Sequence, residues 1–330
     1  MSGTWGASED PDGTWLDYDV VDVFTDRPYA GNPLAVVHGT DGLGAGQLGA
    51  LAREFNLSET AFPTVRAART SGGEAASDYD LRIFTPQHEL PFAGHPSIGA
   101  VWALAQRGLL PGEPGLRERR PRVRRQRCGA GVVDVELGAT PADLVWLTGG
   151  TTGTPRVVDP TEPLAVLRLT TDDLVAPPQP GTAALVAGTG LDFCFLLVRA
   201  EALHRAELDV AALRRLRAAW PGVEGLVLAA VQPASPDVGV TVRAFGDDVP
   251  GGEDPATGSA ALGLGVVLVR SGLVAPDGVT AVRVAQGAVV GRPSTLHVRV
   301  QAAGGVAVRA QVGGGVRLVA RGRIRRPSAD

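Results

Sequence analysis

Lysine is absent from this 330-residue chain; all 31 basic residues are arginine. Without a side-chain amine there is no Schiff base, so covalent pyridoxal phosphate linkage and lysine-dependent aldol chemistry are excluded. A Walker-type phosphate loop is excluded with them, because it requires its lysine. Cysteine is almost absent: Cys128 and Cys194 stand alone, with no CxxC. The histidines, at 38, 88, 95, 204 and 297, form no His/Cys cluster with metal-ligand spacing, and no metal site is expected. Long apolar runs are missing too. "FCFLLV" (193–198) and "LGLGVVLV" (262–269) fall far short of the ~20 residues a membrane span needs. The acidic opening "MSGTWGASEDPDGTWLD" has no apolar core, so no signal peptide is expected. These absences lead us to expect a cytoplasmic protein with no membrane partner.

What is present is balanced. A net charge of −4 with 44% hydrophobic residues allows two buried cores and argues against a general nucleic-acid binder. Residues 1–16 read as disordered. Strands are expected at "DYDVVDVF" (17–24) and "LAVV" (34–37), joined by the turn-rich "TDRPYAGNP". The run "PGEPGLRERRPRVRRQR" (111–127) has seven arginines broken by prolines and reads as a solvated linker. It lacks the interleaved aromatics of a nucleic-acid surface. From 279 onward, short apolar stretches broken by Gly and Pro read as an antiparallel sheet.

The chain repeats itself. Shifted by 164 residues, "HELPFAGHPSIGAVWALAQRGLL" (88–110) falls on the stretch beginning at Gly252. Glu89 meets Glu253, Pro91 meets Pro255, Gly94 meets Gly258, and Gly99 meets Gly263. Leu104 then meets Leu268, and Gly108-Leu109 meets Gly272-Leu273. Upstream, "LRIF" (81–84) resembles "VRAF" (242–245), and in both copies a helical stretch leads to a short strand. We read a duplication that makes two similar halves, each mixing strands and helices. In each half a strand enters a Gly-rich loop that opens a helix of small residues, stopped near Gly108 or Gly272. His95 and Ser259 align at the two helix starts, where free N–H groups and the helix dipole favour an anion. Two such cradles face to face would hold a small carboxylate. Ser259 by itself would read as a plain helix cap.

Two features are set aside. "GAGQLG" (44–49) matches G-x-G-x-x-G, but a polar turn separates it from the preceding strand and no acid follows ≈ 20 residues on; its glycines read as a loop and a helix start. Cys128 reads as the entry to a strand and Cys194 as the interior of one, and neither sits where its pKa would fall.

Four ordered stretches, "VDVFTDRPYAGNPLAVV", "NLSETAF", "ELPFAGHPSIGA" and "GEDPATGSAA", resemble the phenazine-biosynthesis PhzF-like isomerases over nearly the whole chain from about residue 17. The resemblance implies an α+β, diaminopimelate epimerase-like fold. That fold has two pseudo-symmetric halves, each a curled, mostly antiparallel sheet around a central helix. Their expected extents are 17–128 and 129–330, with the last C-terminal strand a candidate to complete the first half. The resemblance also implies Glu59 as acid/base, with His95, Asp254 and Ser259 as catalytic partners and Gly94 and Gly258 holding substrate. It implies a small carboxylic-acid substrate, no cofactor and a homodimer. Related epimerases and racemases carry paired cysteines at the helix starts; His95 and Ser259 stand there instead, which disfavours a two-thiol racemase. An epimerase of an amino or hydroxy acid, and a non-catalytic binding protein, stay open as alternatives. A carboxylate in a closed cleft has its pKa raised and can both remove and return a proton, which suits Glu59.

Overall fold

The computed structural model describes residues 14–66, 77–110, 121–232 and 238–328. In chain order the first elements are β1 (Trp15–Val23), β2 (Asn32–Val37), α1 (Ala45–Phe55), β3 (Thr60–Val65), β4 (Tyr79–Phe84), β5 (Glu89–Leu90) and α2 (Gly94–Gln106). They are followed by β6 (Arg122–Cys128), β7 (Gly131–Leu137), β8 (Val145–Thr148), β9 (Arg156–Val157) and α3 (Thr161–Val166). Next come β10 (Ala184–Gly188), β11 (Asp192–Leu197), α4 (Ala200–Arg205), α5 (Val210–Ala219), β12 (Val223–Gln232) and β13 (Val238–Phe245). The chain closes with β14 (Glu253–Asp254), α6 (Gly258–Arg270), β15 (Gly278–Gln286), β16 (Ser294–Ala303), β17 (Val306–Gly314) and β18 (Val316–Arg325).

The strand pairing shows the duplication directly. One run reads β18–β1–β2–β3–β4–β6–β7–β8. The other reads β9–β10–β11–β12–β13–β15–β16–β17. In each, the third strand pairs parallel with the fourth and the fifth with the sixth, and all other pairs are antiparallel. The short β5 and β14 lie on β4 and β13 at the matching place. β8 and β17 join the two runs.

Each run curls round its helix, because the helix touches strands from both ends of the run. α2 packs on β18, β1, β2, β7 and β8; α6 packs on β10, β11, β16 and β17. Both helices are apolar on all sides, as full enclosure requires. A glycine in each permits the approach. A Cβ on Gly99 would lie 2.5 Å from a Leu34 methyl carbon on β2, and one on Gly263 would lie 3.0 Å from Phe195 on the equivalent β11. Both helices end alike. Gly108 (φ +66°) and Gly272 (φ +69°) adopt the left-handed conformation, and the amides of Leu109 and Leu273 reach back to Leu104 and Leu268.

Four sequence expectations are corrected. Residues 1–13 lie outside the described ones, but Trp15 and Leu16 are not disordered: they open β1, paired with Arg325 and Ile324, with Leu16 buried. Of the Arg-rich run, 111–120 lies outside the described residues, while 122–127 forms β6 rather than a linker, because β7 and β4 supply its backbone partners. A boundary at 128/129 would cut the β6–β7 hairpin, where Cys128 opposes Gly131. The pairing keeps β7 and β8 with the first run and brings β18 back to it. Cys128 accordingly ends a strand instead of entering one.

Candidate active site

The loops before α2 and α6 carry the two helix starts to one place. A Cβ on Gly94 would lie 3.3 Å from the Ser259 amide nitrogen, and Gly258 is as close to Gly94 and to Phe24. Larger residues would push the helix ends apart. Neither N-cap, Ala93 or Thr257, makes a side-chain cap hydrogen bond. The first amides of both helices are left without intrahelical acceptors, and they converge.

Glu59, Gly94, His95, Asp254, Gly258 and Ser259 all line one cavity of about 300 Å³ at this meeting point. The chain brings Glu59 there by a turn: α1 closes at Asn56 in a left-handed conformation, and Glu59 immediately precedes β3. Asp254 ends the short β14, and His95 and Ser259 sit at the second positions of their helices.

His95 Nε2 lies 3.6 Å from Glu59 Oε2, just beyond a hydrogen bond, and this buried nitrogen has no partner among the described residues. Burial holds the imidazole down to about 4, against the opposing pull of Asp254 and a bond to the Pro33 backbone. The ring is therefore neutral near pH 7, and the contact with Glu59 is not an ion pair. Burial pushes Glu59 up to about 7, with the charge of Asp248 adding and a bond from Ser58 opposing. Asp254 is also raised to about 7, first by burial and then by Glu59, against His95 and a bond from Thr257. The two carboxylates titrate as a pair near neutrality. Among the described residues no Arg side chain lines the cavity, while Glu89 and Glu224 on its wall are held by Arg82 and Arg217. The amides at the two helix starts offer neutral N–H dipoles to an anion here.

Several supporting residues escaped the sequence reading. Asn32 Nδ2 donates to Asp254 Oδ1 (2.8 Å) and to the Ala256 carbonyl (2.9 Å), and its Oδ1 accepts from Ser58 Oγ (3.3 Å). Thr257 Oγ1 donates to Asp254 Oδ2 (2.6 Å), and Gln286 Nε2 donates to the Asp254 carbonyl (2.8 Å). Asn32 lay inside a quoted motif, but nothing local marked its target; Gln286 lay in no motif. The thiols stand apart from the site. Cys194 is fully buried in β11 and pushed up to about 12 by that burial, so it carries no thiolate.

Two carboxyl groups, each raised to about 7, thus lie beside the paired starts of α2 and α6. The likenesses to other proteins agree in class. Residues 21–322 match the family described as phenazine biosynthesis-like protein. A Mesorhizobium japonicum protein named an uncharacterized isomerase is 32% identical over 327 residues, 93% of this chain and 98% of that one. Trans-2,3-dihydro-3-hydroxyanthranilate isomerase of Pseudomonas chlororaphis is 47% identical over 87 residues, covering 26% of this chain and 29% of that one. A solved PhzF-family phenazine biosynthesis protein of Bacillus anthracis matches with a TM-score of 0.77 at 20% identity, covering 94% of this chain and 99% of that one. That last likeness shows the fold, which is diaminopimelate epimerase-like. The chain belongs to the phenazine biosynthesis-like family and is an enzyme of the isomerase class.

Proposed function

We propose that the chain is a cofactor-independent isomerase of a small carboxylic acid, with Glu59 moving the proton. The convergent amides of Gly94, His95, Gly258 and Ser259 hold the substrate carboxylate. Ionised Glu59 takes a proton from a carbon near it; the electron pair spreads into the adjoining unsaturated system, and the same carboxylic acid returns the proton to another carbon. Atoms and charge balance without a second reactant. Neutral His95 and Asp254 hold the substrate's other polar groups and stabilise the charge that develops. The observation carrying this reading is Glu59 itself: a carboxylate raised to about 7, 3.6 Å from a neutral imidazole with a free buried nitrogen.

A second reading, an epimerase of an amino or hydroxy acid, draws on Asp254. It is raised to about 7 as Glu59 is, and two matched carboxylates on one substrate could exchange a proton across a stereocentre. Incubation of small carboxylic acids with the protein in D2O, followed by NMR and mass spectrometry, separates the readings. Trans-2,3-dihydro-3-hydroxyanthranilate, named for the Pseudomonas chlororaphis relative, is the first acid to try. Isomerisation places deuterium on a new carbon as the double bond moves. Epimerisation places it only on the inverted carbon. An acid that binds tightly and is recovered without deuterium would make the protein a binder instead.

A further inference from the structure

A second and larger cavity, about 650 Å³, opens on the outer face of β13, β15 and β16 and shares no lining residue with the first. Its walls come from α4, the turn after β1 and the start of β18. Their charge runs against that of the whole chain. The net charge is −4, yet among the described residues this cavity gathers Arg27, Arg283 and Arg317 against one carboxylate, Asp26. Arg243 also reaches the wall but is engaged, bonded to both oxygens of Glu253 and to the carbonyls of Leu203 and Ala206.

The other guanidinium groups are not neutralised. Arg317 donates only to the backbone carbonyls of Asp26 and Val316. The side chains of Arg27 and Arg283 make no hydrogen bond or ion pair with any described residue. The guanidinium charges of Arg27, Arg283 and Arg317 facing one concavity repel one another and focus a positive potential into it. Guanidinium forks match the planar oxygens of carboxylate and phosphate groups.

We infer that this cavity is a second ligand site, taking a small oxyanion with two or more negative charges. Its size admits a phosphate-bearing metabolite or a polycarboxylate, and the chemistry that recognises either is the same. A monoanion gains too little from three separated cations, and a neutral ligand gains nothing.

Isothermal titration of the full chain at low salt, with pyrophosphate and with citrate as probes, tests this. One saturable site per chain is expected, weakening steeply as salt is raised. Arg27→Gln/Arg283→Gln should lose at least tenfold in affinity for the probe that binds, and Arg27→Lys/Arg283→Lys should lose less. Circular dichroism checks that both variants fold, which the exposure of these two positions favours. Whichever probe binds more tightly names the source. Failure of both probes to saturate would overturn the inference, as would equal binding by the Gln variant. So would sedimentation showing that the Gln variant changes subunit association while neither probe binds, since the cavity would then be a subunit interface.

Discussion

Asn32 joins the two halves at the candidate site: its side-chain amide reaches Asp254, 222 positions away, while accepting from Ser58 beside Glu59. Asn32 is 1% exposed, so water does not replace it easily. Asn32→Ala should therefore leave an oxygen of the half-buried Asp254 carboxyl group without its donor, a cost of about 1–3 kcal/mol. We expect a folded protein whose turnover falls at least tenfold, checked by urea denaturation alongside initial rates. An unchanged rate would mean that Asp254 needs no anchor from the first half.

The gap between the helix ends is narrow enough for one methyl group to matter. A Cβ at Gly94 comes within 3.4 Å of Gly258 as well as near the Ser259 amide, which in the proposed binding mode is where the substrate carboxylate is held. Gly94→Ala is expected to cost about 1–3 kcal/mol of stability through overpacking. It should also weaken binding of substrate or product at least tenfold by titration calorimetry. Normal binding would place the carboxylate elsewhere.

The acid limb of the rate profile should report Glu59. As a base it works ionised, so kcat/KM should rise with pH through about 7. Asp248 is exposed and its negative charge helps to raise Glu59. Removing that charge favours ionised Glu59, so Asp248→Asn should move the limb to lower pH. Solvent screening keeps the move under about one pH unit and shrinks it further in high salt. A limb that stays in place would indicate another titrating group.

Stability should carry the same signature. Glu59 is 17% exposed and holds its proton up to about 7, against 4.5 without burial. Its contribution is full below the lower value and is lost as pH rises through the upper one. Gln at 59 cannot ionise and escapes that loss. The stability advantage of Glu59→Gln over the parent should therefore grow by about 1–3 kcal/mol between pH 5 and pH 8 in urea melts. A difference independent of pH would place Glu59 in water.

What was legible in the sequence is what short stretches determine. The helix starts at Gly94 and Gly258 were readable because turn, glycine and polar residue fall within a few positions, and the duplication places them in register. Glu59 came with its motif. Asn32 and Gln286 were not readable, because their partners lie 222 and 32 residues away and no local pattern names them. The Arg-rich β6 misled for a related reason. Its composition suits a solvated linker, but pairing with β7 and β4 decides that it is a strand. The expected boundary at 128/129 falls inside the β6–β7 hairpin, a pairing that no local pattern announces.

The proposed mechanism requires Glu59 to carry the proton, and exchange with solvent tests that most directly. Gln keeps the shape of the side chain but cannot ionise. With a substrate established in D2O, Glu59→Gln should bind it with unchanged affinity, while turnover and deuterium incorporation fall together by about 10²–10⁴, the usual worth of one general acid/base. A Glu59→Gln protein that still transfers deuterium at close to the parent rate would contradict the account and leave Asp254 or His95 as the base.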